Sequence, residues 1–190
     1  MPRKPQYDRD DLINRARDLF WARGWAGTSL KDLEGELKLK PGSFYAAFGS
    51  KDALFELALR RYARDGTARL HNLAETHGAL TALKLYPRLV IDTPDAPAKA
   101  CMMTKTLLEL QAQDHPLAGV ANDNLRRMEQ AFAQLFQQAQ ADKEIGATYD
   151  PFSLARRYQS DLLGLRMSAE RTGVDALAIA QEIADGLDRL

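Results

Sequence analysis

The punctuation of the first 50 residues leaves room for three short helices and for nothing longer. Gly24 stops a first amphipathic run, and Ser29-x-x-Asp32 has the form of a capping box. Pro41 suits a first helical turn, and Gly49-Ser50 reads as a stop followed by a cap. The first helix is expected from about Asp8 to Arg23, with Leu12, Ile13, Ala16, Leu19 and Phe20 as its buried stripe. The second carries Leu30, Leu33 and Leu37 at helical spacing. The third starts near Pro41 and holds Phe44, Tyr45 and Phe48. Only about three or four residues separate the second from the third, which is the outline of a helix-turn-helix unit.

The rest of the chain also reads as helix. Ala, Leu, Arg, Gln and Glu dominate, and strand-like alternation is nearly absent. Ser50 caps a long fourth helix through Leu54, Phe55, Leu57, Ala58 and Tyr62. Further helices are expected over 80–91, about Ala98 to Gln111, about Leu117 to Asp142, Asp150 to about Glu170, and Val174 to Leu190. The expected fold is all-α with about nine helices, divided into residues 1–50 and residues 51–190.

Charge is distributed unevenly along a chain that is neutral in total. Residues 1–70 hold 14 basic and 10 acidic side chains, and residues 71–190 hold 12 and 16. The N-terminal third is therefore the part suited to a polyanion. A single cysteine excludes an internal disulfide and a Cys-rich zinc module. No apolar run approaches the roughly 18 residues of a membrane span, and no signal peptide is visible, so a cytoplasmic location with no membrane partner is expected.

Enzymatic motifs are missing: there is no GxSxG, P-loop, GxGxxG or HExxH. His71, His77 and His115 fall near expected helix ends or loops, where surface or capping roles explain them. No catalytic residue, metal or cofactor is expected.

The stretch from Asp18 to Leu33, with Gly42-Ser-Phe-Tyr-Ala-Ala-Phe-Gly-Ser-Lys-Asp-Ala-Leu-Phe55, closely resembles the DNA-binding domain of the TetR/AcrR family of bacterial transcriptional regulators. The likeness covers about residues 8–62. Ala100 to Met103, Asp150 to Arg156 and Gly164 to Arg166 resemble patterns in one subgroup of that family. The resemblance implies a helix-turn-helix reading head followed by a helical ligand-binding and dimerisation domain. It implies double-stranded operator DNA, a second copy of the chain and an unidentified small-molecule effector as partners. Repression lifted by that effector, or by thiol modification, is the implied function. The alternative is a small-molecule-binding helical protein without operator recognition.

The same resemblance supplies residue roles. Tyr45 matches a family contact to phosphate or base, Lys51 a phosphate contact at the start of the fourth helix, and Thr28 a phosphate contact before the second. Phe44 and Phe48, four residues apart, should face the core. Lys40, Pro41, Gly42, Ser43, Tyr45 and Ala47 should then face DNA. Lys38 stands where glycine is usual in the turn, so modest strain is expected if that position needs a positive φ, and Lys40 stands where a Ser or Thr cap is usual, so loss of the N-cap bond is expected. Arg3 and Lys4 could reach a minor groove.

In the second domain, Tyr86, Leu89, Met102, Met103, Leu107, Phe132, Phe136 and Tyr158 are candidate effector-pocket residues. The last two helices are expected to form the dimer interface through Leu162, Leu165 and Ala169, beside Tyr158, and through Leu177, Ala180, Ala184 and Leu187. Gly164 would allow close approach. Cys101, expected in the first turn of a helix near Lys99 and Lys105, is the candidate redox or electrophile sensor.

Overall fold

Asp8 accepts a hydrogen bond from the Asp10 amide and opens α1 (Arg9–Arg23). The computed structural model describes residues 8–190, so the expected arm at Arg3 and Lys4 lies outside the described residues. After α1 come α2 (Leu30–Leu37), α3 (Pro41–Phe48), α4 (Lys51–His77), α5 (Ala79–Ile91), α6 (Met102–Leu110), α7 (Pro116–Ala141), α8 (Pro151–Ser168) and α9 (Ala176–Leu187). Among the described residues there are nine α-helices, one short 3-10 turn at Gln111–Gln113 and no strand. None of these helices is long and apolar enough to cross a membrane.

The caps read from the sequence form as local chemistry dictates. Ser29 accepts from the Asp32 amide while the Asp32 carboxylate accepts from the Ser29 amide, closing a capping box. Those Ser29 hydrogen bonds, and after them Arg23, hold the Asp32 carboxyl below its ordinary value. Ser50 accepts from Ala53, Asp150 from Ser153, and the His115 ring from Leu117, so three more helices start on a side-chain acceptor.

Apolar side chains collect in two cores. The first joins α1, α2 and α3 to the start of α4, with Phe20, Leu33, Phe44 and Phe55 at its centre. It also takes in Met102 and Leu110 of α6 and Ala118 and Ala121 of α7. The second packs the far half of α4 with α5, α7, α8 and α9 through Leu70, Leu83, Phe132, Phe136 and Leu165. α4 belongs to both. With 27 residues it is about 40 Å long and spans the molecule. The Arg17–Asp65 ion pair, 2.7 Å, ties α1 along its flank.

α5 contains a buried proline. Pro87 has no N–H, so the Leu83 carbonyl one turn earlier loses its helical donor. The Tyr158 hydroxyl donates to that carbonyl at 2.6 Å. Phe132 and Phe136 pack edge-on against the same tyrosine at 4.9 and 5.8 Å.

The structure corrects one boundary. α6 begins at Met102, not near Ala98. The Lys99 and Ala100 amides donate to Glu170, at 2.6 and 2.7 Å, and the Trp21 indole donates to the Ala100 carbonyl at 2.7 Å. Tertiary partners take the backbone groups that a first helical turn would have used. Cys101 is therefore the extended N-cap residue of α6 and not part of its first turn. The two nearby lysines are engaged elsewhere. Lys99 donates to the Ile91 and Thr93 carbonyls, and Lys105 to those of Trp21 and Ala22.

Candidate nucleic-acid interface

α3 is locked on one face and open on the other. Phe44 is fully buried and Phe48 nearly so, and their rings lie 5.8 Å apart. Lys40, Pro41, Gly42 and Ser43 are exposed, and Tyr45 is 50% exposed with its ring edge against Phe44. Ala47 departs from expectation: it is half-buried against the first core, and its carbonyl accepts from Arg9 at 2.6 Å. It lies three residues from Phe44 on a helix, hence on the same side, and Ala46 takes the exposed place instead. Lys40 makes no side-chain capping bond, as its chemistry requires. Lys38 occupies the left-handed region at φ 54°, where a side chain costs about 1 kcal/mol relative to glycine.

Thr28 is a second correction. Its side chain is fully buried and its hydroxyl donates to the Gly24 carbonyl at 2.7 Å. That bond closes the turn between α1 and α2, so the hydroxyl is not presented to a phosphate.

A clamp holds this turn to α6 and α7. The two Glu109 oxygens accept from the Trp25 and Ala26 amides at 2.9 and 2.7 Å. Gly24, at φ 79°, lies directly beneath the carboxylate, and a Cβ there would meet Glu109 Oε2 at 2.9 Å. One turn earlier on α6, Lys105 binds the last carbonyls of α1. The Trp25 indole N–H donates to Asp52 at 2.8 Å, and Asp52 lies 3.6 Å from the His115 ring. The Lys51 ammonium sits 4.0 Å from the centre of the Trp25 ring. Partial burial against this wall lowers its pKa, while Asp52 and Glu109 oppose the shift. Neither Trp25 nor Glu109 was singled out from the sequence. An i, i+4 Lys-Glu pair on α6 was the available signal, and it resembles any solvated helix face.

Farther along α4 lies a cavity of about 70 Å³ between α4, α5, α7 and α8. Of the candidate pocket residues, Tyr86, Met103 and Phe132 line it, and so does Cys101. Burial pushes the Tyr86 hydroxyl up to about 12. The other expected pocket residues lie elsewhere. Met102 and Leu107 pack into the first core because α6 docks against α1. Leu89 lines a separate outer depression beside the loop of residues 93–97. Phe136 and Tyr158 border a separate depression against α9. The polar wall of the cavity was missed: Arg166, Asn124, Gln159 and Arg69 all border it. Arg166 was visible as a cation four residues after Leu162 on an apolar stripe.

The stripes of α8 and α9 also face differently. Leu162, Leu165, Ala180, Ala184 and Leu187 are buried within the single chain, and Ala169 packs partly against the same core. A helix pair that packs on α5 and α7 needs its apolar face for its own subunit. Leu177 is 50% exposed and Met167 62%, and a Cβ at Gly164 would meet no atom within 4 Å.

Residues 12–58 match the family model described as bacterial regulatory proteins, tetR family. The chain is 30% identical over 169 residues to the HTH-type transcriptional repressor ComR of Escherichia coli K12, covering 86% of this chain and 80% of ComR. It superposes on a cysteine-substituted form of the TetR family regulator CifR, complexed with a 26-base-pair operator. That comparison gives a TM-score of 0.82 and 27% identity, over 97% of both chains. Reduced Escherichia coli NemR shares the fold at a TM-score of 0.81 and 19% identity, over 94% of this chain and 95% of NemR. With its tri-helical head, exposed α3 and matching full-length relatives, the chain belongs to the TetR family of DNA-binding transcriptional regulators.

Proposed function

We propose that this chain is a homodimeric repressor that leaves its operator when a small molecule binds, or a thiol is modified, in the second domain. The observation that carries the reading is α3: a helix pinned by Phe44 and Phe48 that offers Lys40, Pro41, Gly42, Ser43 and Tyr45 to solvent. Those small and polar residues let a helix N-terminus enter a major groove, while Tyr45 and Lys51 reach toward flanking phosphates. ComR is named a repressor, and the CifR structure contains operator DNA, which supports the same roles here.

Residues 1–50 serve as the reading head and residues 51–190 as the effector and dimerisation domain. One head reads one half-site, so two copies are required. The open face of α8 and α9, with Gly164, Met167 and Leu177, is the surface for the second copy. Cys101 borders both the inner cavity and an outer groove with Leu108, Met167 and Glu170, so reagents can approach it from either side.

Titration of labelled operator fragments over a salt series tests the DNA reading. Affinity should fall linearly on a log–log plot. Tyr45→Ala and Lys51→Ala should weaken binding while the cavity keeps its ligands. Operator release by an electrophile that is equal in the parent and in Cys101→Ser would remove the thiol from the mechanism.

A further inference from the structure

Among the described residues, Arg166 is the one charged side chain that is buried. It is 8% exposed, and its Nε is buried without a hydrogen-bond partner. Among the described residues no carboxylate pairs with it. Glu170, one helical turn on, is spent on the Lys99 and Ala100 amides. Asp18 is taken by Arg17, and Asp95 is exposed on the outer depression. Among the described residues, the one aromatic ring that Arg166 approaches is that of Trp21, 5.7 Å from Cζ. A guanidinium does not lose its proton, so its burial leaves an uncompensated positive charge.

That charge borders a cavity, and it is not alone there. Arg69, exposed and without an ion pair among the described residues, lines the same cavity. Both arginines also line the outer depression between α1, α5 and the loop of residues 93–97. They stand where the depression meets the cavity, so a molecule passing inward stays beside a guanidinium. The rest of the lining is mixed: Asn124 and Gln159 are polar, and Val90, Met103, Met128, Phe132 and Leu162 are apolar.

We propose that this cavity takes a small monocarboxylate, its carboxylate held by Arg166 and Arg69 and its hydrocarbon end on the Met103–Phe132 wall. The proposal rests on the effector-responsive reading above and adds the chemical class of the effector. A planar carboxylate matches the donor fork of a guanidinium and supplies the missing counter-charge. It also competes with Trp21 for Arg166. Trp21 belongs to the first core and holds the Ala100 carbonyl beside Cys101. Occupancy therefore bears directly on the docking of α1 against the loop before α6.

Calorimetric titration of the full chain with acetate, propionate and butyrate, short acids suited to a cavity of about 70 Å³, against their neutral amides, tests this. The carboxylates should bind, and the amides should bind at least about tenfold more weakly. Arg166→Met should weaken the carboxylates by about 10- to 100-fold and erase the preference. Arg166→Lys, which keeps the charge, should retain part of it. Without ligand, Arg166→Met should melt no lower than the parent, because an unpaired buried charge is gone. Should Arg166→Met fail to fold, Arg69→Gln carries the test at an exposed position, with a several-fold loss expected.

Equal binding of acids and amides, no binding of any acid, or unchanged acid affinity in both Arg69→Gln and Arg166→Lys would overturn the proposal. Operator binding is measured separately. Amides that bind as well as the acids and release DNA would leave the regulator reading standing without charge selection. Acid binding by a chain that holds no DNA would do the reverse.

Discussion

The Tyr158 hydroxyl occupies the place of the amide hydrogen that Pro87 lacks, donating at 2.6 Å to the Leu83 carbonyl in the interior of α5. A proline that would leave a buried acceptor unsatisfied is thus matched by a tyrosine from another helix. The arrangement also explains why this tyrosine lies outside the cavity: its polar tip is already committed.

Tyr158→Phe should destabilise the protein by about 1–2 kcal/mol, since it orphans a buried carbonyl while keeping the ring. Pro87→Ala restores an N–H to the helix, so the same Tyr158→Phe change should cost less in that background. A double-mutant cycle from chemical denaturation would show a coupling of at least about 0.5 kcal/mol. Additive effects would contradict the pairing.

Glu109 supplies two hydrogen bonds to the turn between α1 and α2. Glu109→Ala should leave the helical content unchanged and lower the protection of the Trp25 and Ala26 amides from hydrogen exchange. Charge-assisted bonds of this kind contribute about 1.5–3 kcal/mol each when intact. Protection unchanged at both amides would show that the clamp does not hold the turn.

Thr28 separates a structural role from a phosphate contact. Thr28→Val removes the bond to the Gly24 carbonyl and should cost about 1 kcal/mol. The salt slope of DNA binding should stay the same, because no phosphate contact is removed. A slope reduced by about one unit would place the threonine at the phosphate after all.

The capping box makes an acid-side prediction. The Asp32 carboxyl is held below its ordinary 3.8 in the folded protein, mainly by Ser29. A depressed folded value means that the contribution is present above the unfolded value and lost as pH falls through the folded one. Ser29→Ala should therefore lower the melting temperature at neutral pH. The gap from the parent should close as the pH falls well below 3.8. A gap independent of pH would mean that the serine acts only as a neutral cap.

Some of this was legible in the chain alone, because it is local. Capping at Asp8, Ser29, Ser50 and Asp150, the stops at Gly24 and Gly49, and the inward pair Phe44 and Phe48 depend on neighbours within about one helical turn. The reading head followed from them. The start of α6 did not, because Glu170 and Trp21 claim its backbone from 70 and 79 residues away. Nor did the cavity wall. Helical periodicity marks which residues avoid water, but Met102, Met103, Phe132 and Phe136 carry the same mark and end in different places. Helical spacing pointed the stripes of α8 and α9 at a second copy, and most of their residues are buried within their own subunit instead. The sequence determined the helices and their buried faces, since those follow from neighbouring residues. Tertiary packing alone decided what each face meets, because contacts between distant segments fix where an apolar stripe ends and where a charge such as Arg166 is left without a partner.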